Sequence, residues 1–149
     1  MTPIDAIITR AIRDEEEANA FYQAIERQAT NETVKRLFLG LAREELGHKA
    51  FLEKCRSDPA LLAKLPTVVD YQIAATVPAP TPGQLHKPAD AIALAMKKEQ
   101  QAVDLYRSLA AATQDPALRT TLEGLARMEQ EHKRQLEEAF VGVGYPETF

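Results

Sequence analysis

Two short stretches of this sequence carry residues whose types and spacing suit metal chemistry: Glu45 with His48, and Glu129 with His132. In each, a carboxylate and an imidazole stand three residues apart, which on a helix places both on one face, about one turn apart. A pair so placed can share one metal ion. Alone, a Glu-x-x-His pair is more often a hydrogen-bonded core feature than a ligand set, so its meaning depends on what accompanies it. Glu129 follows Glu45 by 84 residues, and His132 follows His48 by the same 84. That offset also relates Glu15 to Glu99, Tyr22 to Tyr106, Ala18 to Ala102, Asn31 to Asp115, Leu41 to Leu125 and Ala42 to Ala126. The chain is a helical hairpin written twice, with no gap between matched positions.

The elements that must position these residues can be read from caps and apolar stripes. Thr2-Pro3 is an N-cap followed by Pro at the first helical position. Ile4, Ile8, Ile12, Ala18, Tyr22 and Ile25 then recur at helical spacing, and Glu15 falls inside their stripe. Thr30-Asn31 is a turn, with Asn31 as cap of a second helix carrying Val34, Leu37, Phe38, Leu41, Leu52 and Cys55, interrupted on the same face by Glu45 and His48. Ser57-Asp58-Pro59 ends it. Pro59, Pro66, Pro78, Pro80, Pro82 and Gly83 then make a long helix improbable, with room for a short helical piece from Pro59 to Lys64. Lys87-Pro88 opens a third helix carrying Ile92, Ala95, Met96, Ala102, Val103, Tyr106 and Leu109. Asp115-Pro116 opens a fourth with Leu118, Leu122, Leu125, Leu136 and Phe140, and Gly142 and Gly144 mark its end. The tail from Tyr145 to Phe149 reads as a surface extension.

The expectation is a single domain over residues 1–149, all-α, with a first hairpin over about 3–57, a crossover over about 58–87 and a second hairpin over about 88–141. With 149 residues, 45% hydrophobic and 27% charged, the chain is long enough to bury a core and reads as soluble and globular. A net charge of −4 and a pI near 5.4 argue against nucleic acid or an anionic membrane as partner. No apolar run approaches membrane-spanning length, and the amphipathic start is not a secretory signal, so a cytoplasmic protein is expected. The single Cys55 excludes an intramolecular disulfide, and no Cys-x-x-Cys is present to hold zinc or a rubredoxin-type iron.

Glu15 lies fifteen residues before the turn at Thr30 and Glu45 fifteen after it, so in an antiparallel hairpin both sit at one height. Glu99 and Glu129 are likewise symmetric about Gln114. Four glutamates and two histidines therefore meet in one layer if the hairpins pack face to face. Four buried carboxylates are severely destabilising when ionised and unpaired. The stripes supply no internal Arg or Lys, since Lys35, Arg36, Lys97 and Lys98 fall off the inward register. Two divalent cations would balance four glutamates. One Glu from each of two helices and a Glu-x-x-His from each of the other two is the di-iron or di-manganese carboxylate arrangement, and hard oxygen ligands with one imidazole per metal suit iron or manganese better than structural zinc.

The phrasing Glu15-x-x-Ala18-x-x-x-Tyr22, then Leu41-Ala42-x-x-Glu45-x-x-His48, with its second copy, resembles the rubrerythrin branch of the ferritin-like superfamily. The resemblance covers roughly Ile4 to Phe140. It implies a ferritin-like four-helix bundle holding two iron ions per chain, with manganese as the alternative metal. The implied ligands are Glu15, Glu45, His48, Glu99, Glu129 and His132, with Glu45 and Glu129 as bridges. It also implies a homodimer, and iron with peroxide or oxygen as reactants beside an unidentified electron donor. Two departures stand out. No rubredoxin module with four cysteines is present, and the position of a further family glutamate, one turn after the third-helix ligand, is Ala102. That missing carboxylate weighs against rubrerythrin-type peroxide reduction.

The leading functional expectation is a non-haem di-iron oxidoreductase, ferroxidase or peroxidase-like, that oxidises Fe(II). A metal carrier or sensor without turnover, and a metal-free structural helical dimer, are the alternatives. Tyr22 and Tyr106 are either amphipathic core residues or hydroxyls serving the centre, beside a ligand carboxylate or as electron donors. Cys55 reads as a small core residue, with a redox partner as the minority reading, and His86 as a surface one. Glu16, Glu17, Glu44, Glu131 and Glu138 read as solvated faces, with Glu131 placed to assist metal entry.

Overall fold

A computed structural model describes residues 2–78 and 88–143. Among these the helices are α1 (Pro3–Gln28), α2 (Glu32–Cys55), α3 (Ala60–Ala63), α4 (Pro88–Ala112) and α5 (Pro116–Val143), and there is no strand. The fold class is the expected one: all-α and ferritin-like, with four long helices in two hairpins. The chain forms two compact units, Met1–Ala63 and Lys64–Phe149.

In the first unit α1 packs along α2. Thr2 caps α1 through a reciprocal box: its side chain accepts from the Asp5 N–H, and the Asp5 carboxylate accepts from the Thr2 N–H. Asn31 Oδ1 accepts from the N–H groups of Thr33 and Val34, 2.8 and 3.2 Å away, and so closes the start of α2. Asn31→Ala should therefore cost about 1 kcal/mol, read as a lowered thermal midpoint with helicity retained. Ile8, Ile12, Tyr22, Ile25, Val34, Phe38, Leu41, Leu52 and Cys55 form the buried stripes. Asn19 Nδ2 donates to the Ala42 carbonyl at 2.6 Å, fixing the register of α1 against α2 midway along.

In the second unit α4 packs along α5. Asp115 Oδ1 accepts from Ala117 N–H at 3.0 Å, as the sequence predicts for a cap. Ile92, Ala95, Met96, Val103, Tyr106, Leu122, Leu125, Leu136 and Phe140 are buried. Leu109, expected inward, is 38% exposed. The inward row of α4 steps from Tyr106 to Ala110, which is buried, and leaves Leu109 beside it. Gly142 does not end α5 but sits within it, since the helix continues to Val143 and no described glycine has positive φ.

The middle of the crossover is laid over α5 by side chains of that helix. Lys133 Nζ pairs with Asp70 Oδ1 at 2.5 Å and lies 3.6 Å from Glu137 Oε2. Glu137 Oε2 also accepts the Ala74 N–H at 2.8 Å, and Tyr71 Oη donates to Glu138 at 3.0 Å. Gln72 takes a left-handed φ of 58°, and its N–H is held by Asp70 Oδ1 at 2.8 Å. Pro80, Pro82, Gly83, His86 and Lys87 of the crossover, and Gly144 with the Tyr145–Phe149 tail, lie outside the described residues.

Candidate metal centre

Each hairpin delivers three of the six expected ligands to one place. In the first, Glu15 comes from the middle of α1 and Glu45 and His48 from successive turns of α2, with ligand atoms within 4.8 Å of one another. In the second, Glu99 comes from α4 and Glu129 and His132 from α5, again within 4.8 Å. Both triads are one carboxylate facing a Glu-x-x-His pair across an antiparallel hairpin. This is what equal spacing about the two turns dictates.

The triads differ in exposure. His132 is 2% exposed, and its Nδ1 lies 3.4 Å from Glu129 Oε2 and 3.6 Å from Glu99 Oε2. His48 is half-buried, with Nδ1 at 3.9 Å from Glu15 Oε2. Glu15, Glu45, Glu99 and Glu129 are all buried.

Burial, and then the neighbouring Glu129 carboxylate, push the Glu99 carboxyl well above the usual range, while His132 pulls it back. For His132 burial opposes protonation, yet the carboxylates of Glu99 and Glu129 hold its imidazole well above the ordinary value. Without a cation, protons take the place of positive charge here.

These residues fit a metal ion. The donors are hard carboxylate oxygens with one imidazole nitrogen per triad, the set suited to iron or manganese. Glu15 Oε2 is buried without a hydrogen bond among the described residues, with His48 Nδ1 3.9 Å away, so an acceptor is left for a cation to satisfy.

Tyr22 and Tyr106 are both buried, each two turns along from Glu15 and Glu99 on the same helix. The Tyr22 ring packs on Phe21 and Phe38 at centroid distances of 5.5 and 5.8 Å, so it serves the core whatever else it does. Burial first, then Asp58, pushes the Cys55 thiol up, which makes it a small core residue rather than a reactive thiolate. Glu131 is held by Arg134, 2.7 Å away, and Glu16, Glu17, Glu44 and Glu138 are exposed.

Sequence reasoning missed Lys133 and Glu137, which are 1% and 0% exposed in their side chains. An internal cation does exist, contrary to expectation. Its charge is taken by Asp70 and Glu137, so it is engaged outside the Glu99 triad. The only available signal was Lys-x-x-x-Glu at Lys133 and Glu137, and the same spacing recurs at Lys49 and Glu53, where Glu53 is exposed.

Among the described residues no helix is long and apolar enough to cross a membrane. No curated protein and no solved structure matches the chain. The rubrerythrin family model matches residues 6–140, nearly the whole chain and both hairpins with their triads. Repeat, triads and match agree: this chain belongs to the rubrerythrin family.

Proposed function

We propose that the chain is a non-haem di-iron protein that oxidises Fe(II) with peroxide or oxygen, acting in the cytoplasm. The observation that carries this is the pair of matched buried triads, because one triad is a metal-site candidate and two at a fixed offset are the halves of a di-metal site. In this reading the two units join as one domain, and Glu15, Glu45, His48, Glu99, Glu129 and His132 are the ligands. On the family likeness, Glu45 and Glu129 would be the carboxylates shared by the two metals.

The bound metal pair would supply redox equivalents and a place for the oxidant to bind. The overall balance would be two Fe(II), one hydrogen peroxide and two protons giving two Fe(III) and two waters. The chain's own part is to hold the ligands in place before metal arrives. The α1–α2 register fixed by Asn19 and Ala42 does this for Glu15 and Glu45. Glu99 and His132 exchange protons for the cation. Tyr22 and Tyr106 lie on the same buried stripes as the ligands, and in this reading their phenols would serve the centre as electron donors.

The test is an anaerobic Fe(II) titration of metal-stripped protein, read as bound iron per chain. Two tightly bound irons, with binding lost in Glu45→Ala or Glu129→Ala, are expected, followed by oxidation when peroxide or oxygen is added. Tight binding without oxidation would make the chain a carrier or sensor. An absence of saturable binding sinks the proposal.

A further inference from the structure

Glu129 and His132 are each followed directly by a residue that holds the crossover, Gln130 and Lys133, and Glu137 follows one turn later. At roughly 100° per residue these three fall within about 60° of one another on the flank of α5. Gln130 Nε2 donates to the Val69 carbonyl at 3.5 Å, Lys133 Nζ pairs with Asp70, and Glu137 accepts the Ala74 N–H. All three residues are buried, at 1%, 1% and 0% exposure. The segment they hold is shaped for its place: Gln72 takes its left-handed φ with its N–H on Asp70, the same carboxylate that meets Lys133. The matched positions of the first repeat are Leu46, Lys49 and Glu53. There Leu46 is 49% exposed, Glu53 is exposed, and Lys49 reaches a half-exposed Glu16 at 3.8 Å. One chain therefore carries the same triad twice, once on a helix with a strapped flank and once on a helix with that flank open to solvent.

We propose that residues 69–74 act as a strap that makes the two metal positions unequal: a divalent cation in the Glu99, Glu129 and His132 triad is retained, and one in the Glu15, Glu45 and His48 triad exchanges. This rests on the proposed function, in which both triads take metal. A cation leaves a buried triad only when the helix carrying two of its three ligands parts locally from its partner helix. On α5 the strap contacts stand at positions 130, 133 and 137, within and just beyond the ligand pair. Opening there pulls Lys133 from Asp70 and Glu137 from the Ala74 N–H, so charge-assisted bonds are lost together with the helix contacts. α2 opens without that loss, and 26% of the His48 side chain is already exposed against 2% for His132. Asp70, Lys133 and Glu137 are in this sense positioning residues, acting through the helix that carries Glu129 and His132.

The strap is read first in the metal-stripped full chain, where the metal reading has no part. Amides of residues 129–137 should exchange with deuterium about tenfold or more slowly than those of residues 45–53, after correction for intrinsic rates. Asp70→Asn keeps an acceptor for the Gln72 N–H and removes the charge that meets Lys133. It should speed exchange at residues 129–137 about tenfold and leave residues 45–53 within about twofold. The chain loaded with Mn(II) and chased with excess chelator should lose one metal fast and one slowly. Asp70→Asn should speed only the slow phase, about tenfold, whereas a global loss of stability would speed both. Lys49→Met, the change at the matched cation on the open flank, should move neither phase more than about twofold. Equal protection of the two segments, or a single release phase from a chain holding two Mn(II), would overturn the proposal. So would an Asp70→Asn effect spread equally over both hairpins. Uptake of fewer than two Mn(II) at saturation would count against the two-metal reading, and the deuterium exchange would still decide whether the strap holds α5.

Discussion

Lys133→Met is expected to destabilise the metal-stripped protein by about 3–5 kcal/mol, the cost of removing one partner from a buried charge pair. The side chain of Glu137 is 0% exposed and would be left with an uncompensated carboxylate, which among the described residues would keep its acceptance of the Ala74 N–H. Asp70 would lose the same partner. Burial works against the Asp70 carboxylate, but Lys133 and the Gln72 N–H hold it below its ordinary pKa. Adding Glu137→Gln to Lys133→Met should recover the greater part of the loss, since an amide oxygen still accepts from Ala74 without carrying charge. Lys49→Met is the control. Lys49 is the repeat counterpart of Lys133, but it is 35% exposed and lies 3.8 Å from a half-exposed Glu16, so its loss should cost less than about 1 kcal/mol. Urea unfolding of the wild type and these three variants reads the difference. If Lys133→Met and Lys49→Met cost the same, the crossover is not held by this pair.

The contrast between Lys133 and Lys49 also shows what a sequence of this kind can and cannot reveal. Helices, caps and turns were legible because they are local: Thr2, Asn31 and Asp115 each cap the helix they precede in sequence. The two triads were legible because equal spacing about a turn fixes height in an antiparallel hairpin, and the 84-residue offset repeats that spacing. Lys133 and Glu137 were not legible. The same Lys-x-x-x-Glu occurs in both repeats, and only one copy is buried. What buries it is residues 69–74, an irregular segment about sixty residues earlier, whose docking has no periodic signature. Leu109 fails in the opposite way. It stands three residues after the buried Tyr106, but the inward row steps by four to Ala110, and apolar spacing alone does not say which of two adjacent apolar residues faces in.

The second large effect is an inversion of pH dependence on metal loading. In the metal-free protein the Glu99 carboxyl and the His132 imidazole both hold their protons to higher pH than they do unfolded. For His132, the raised folded pKa means stabilisation fully present below about pH 6.5 and lost as pH rises through the folded value. For Glu99 the unfolded chain ionises from about pH 4.3 upward while the folded one stays neutral, so a penalty grows over that window. Both signs agree. Metal-free stability should fall from pH 5 to pH 8, with a slope approaching about 1.4 kcal/mol per pH unit for each proton the folded state retains. Glu99→Gln should flatten the lower part of that window, because the amide cannot ionise. A divalent cation displaces those protons, so its binding tightens as pH rises, and it stabilises only the state that assembles the triad. The loaded protein should therefore gain stability over the interval in which the stripped protein loses it. Thermal melts with chelator, and with Mn(II) as a redox-silent probe, at several pH values between 5 and 8 would show the two curves diverging. Parallel curves would mean that Glu99 and His132 do not release protons to the metal. A stripped protein that becomes more stable toward pH 8 would mean that these two groups do not govern its titration.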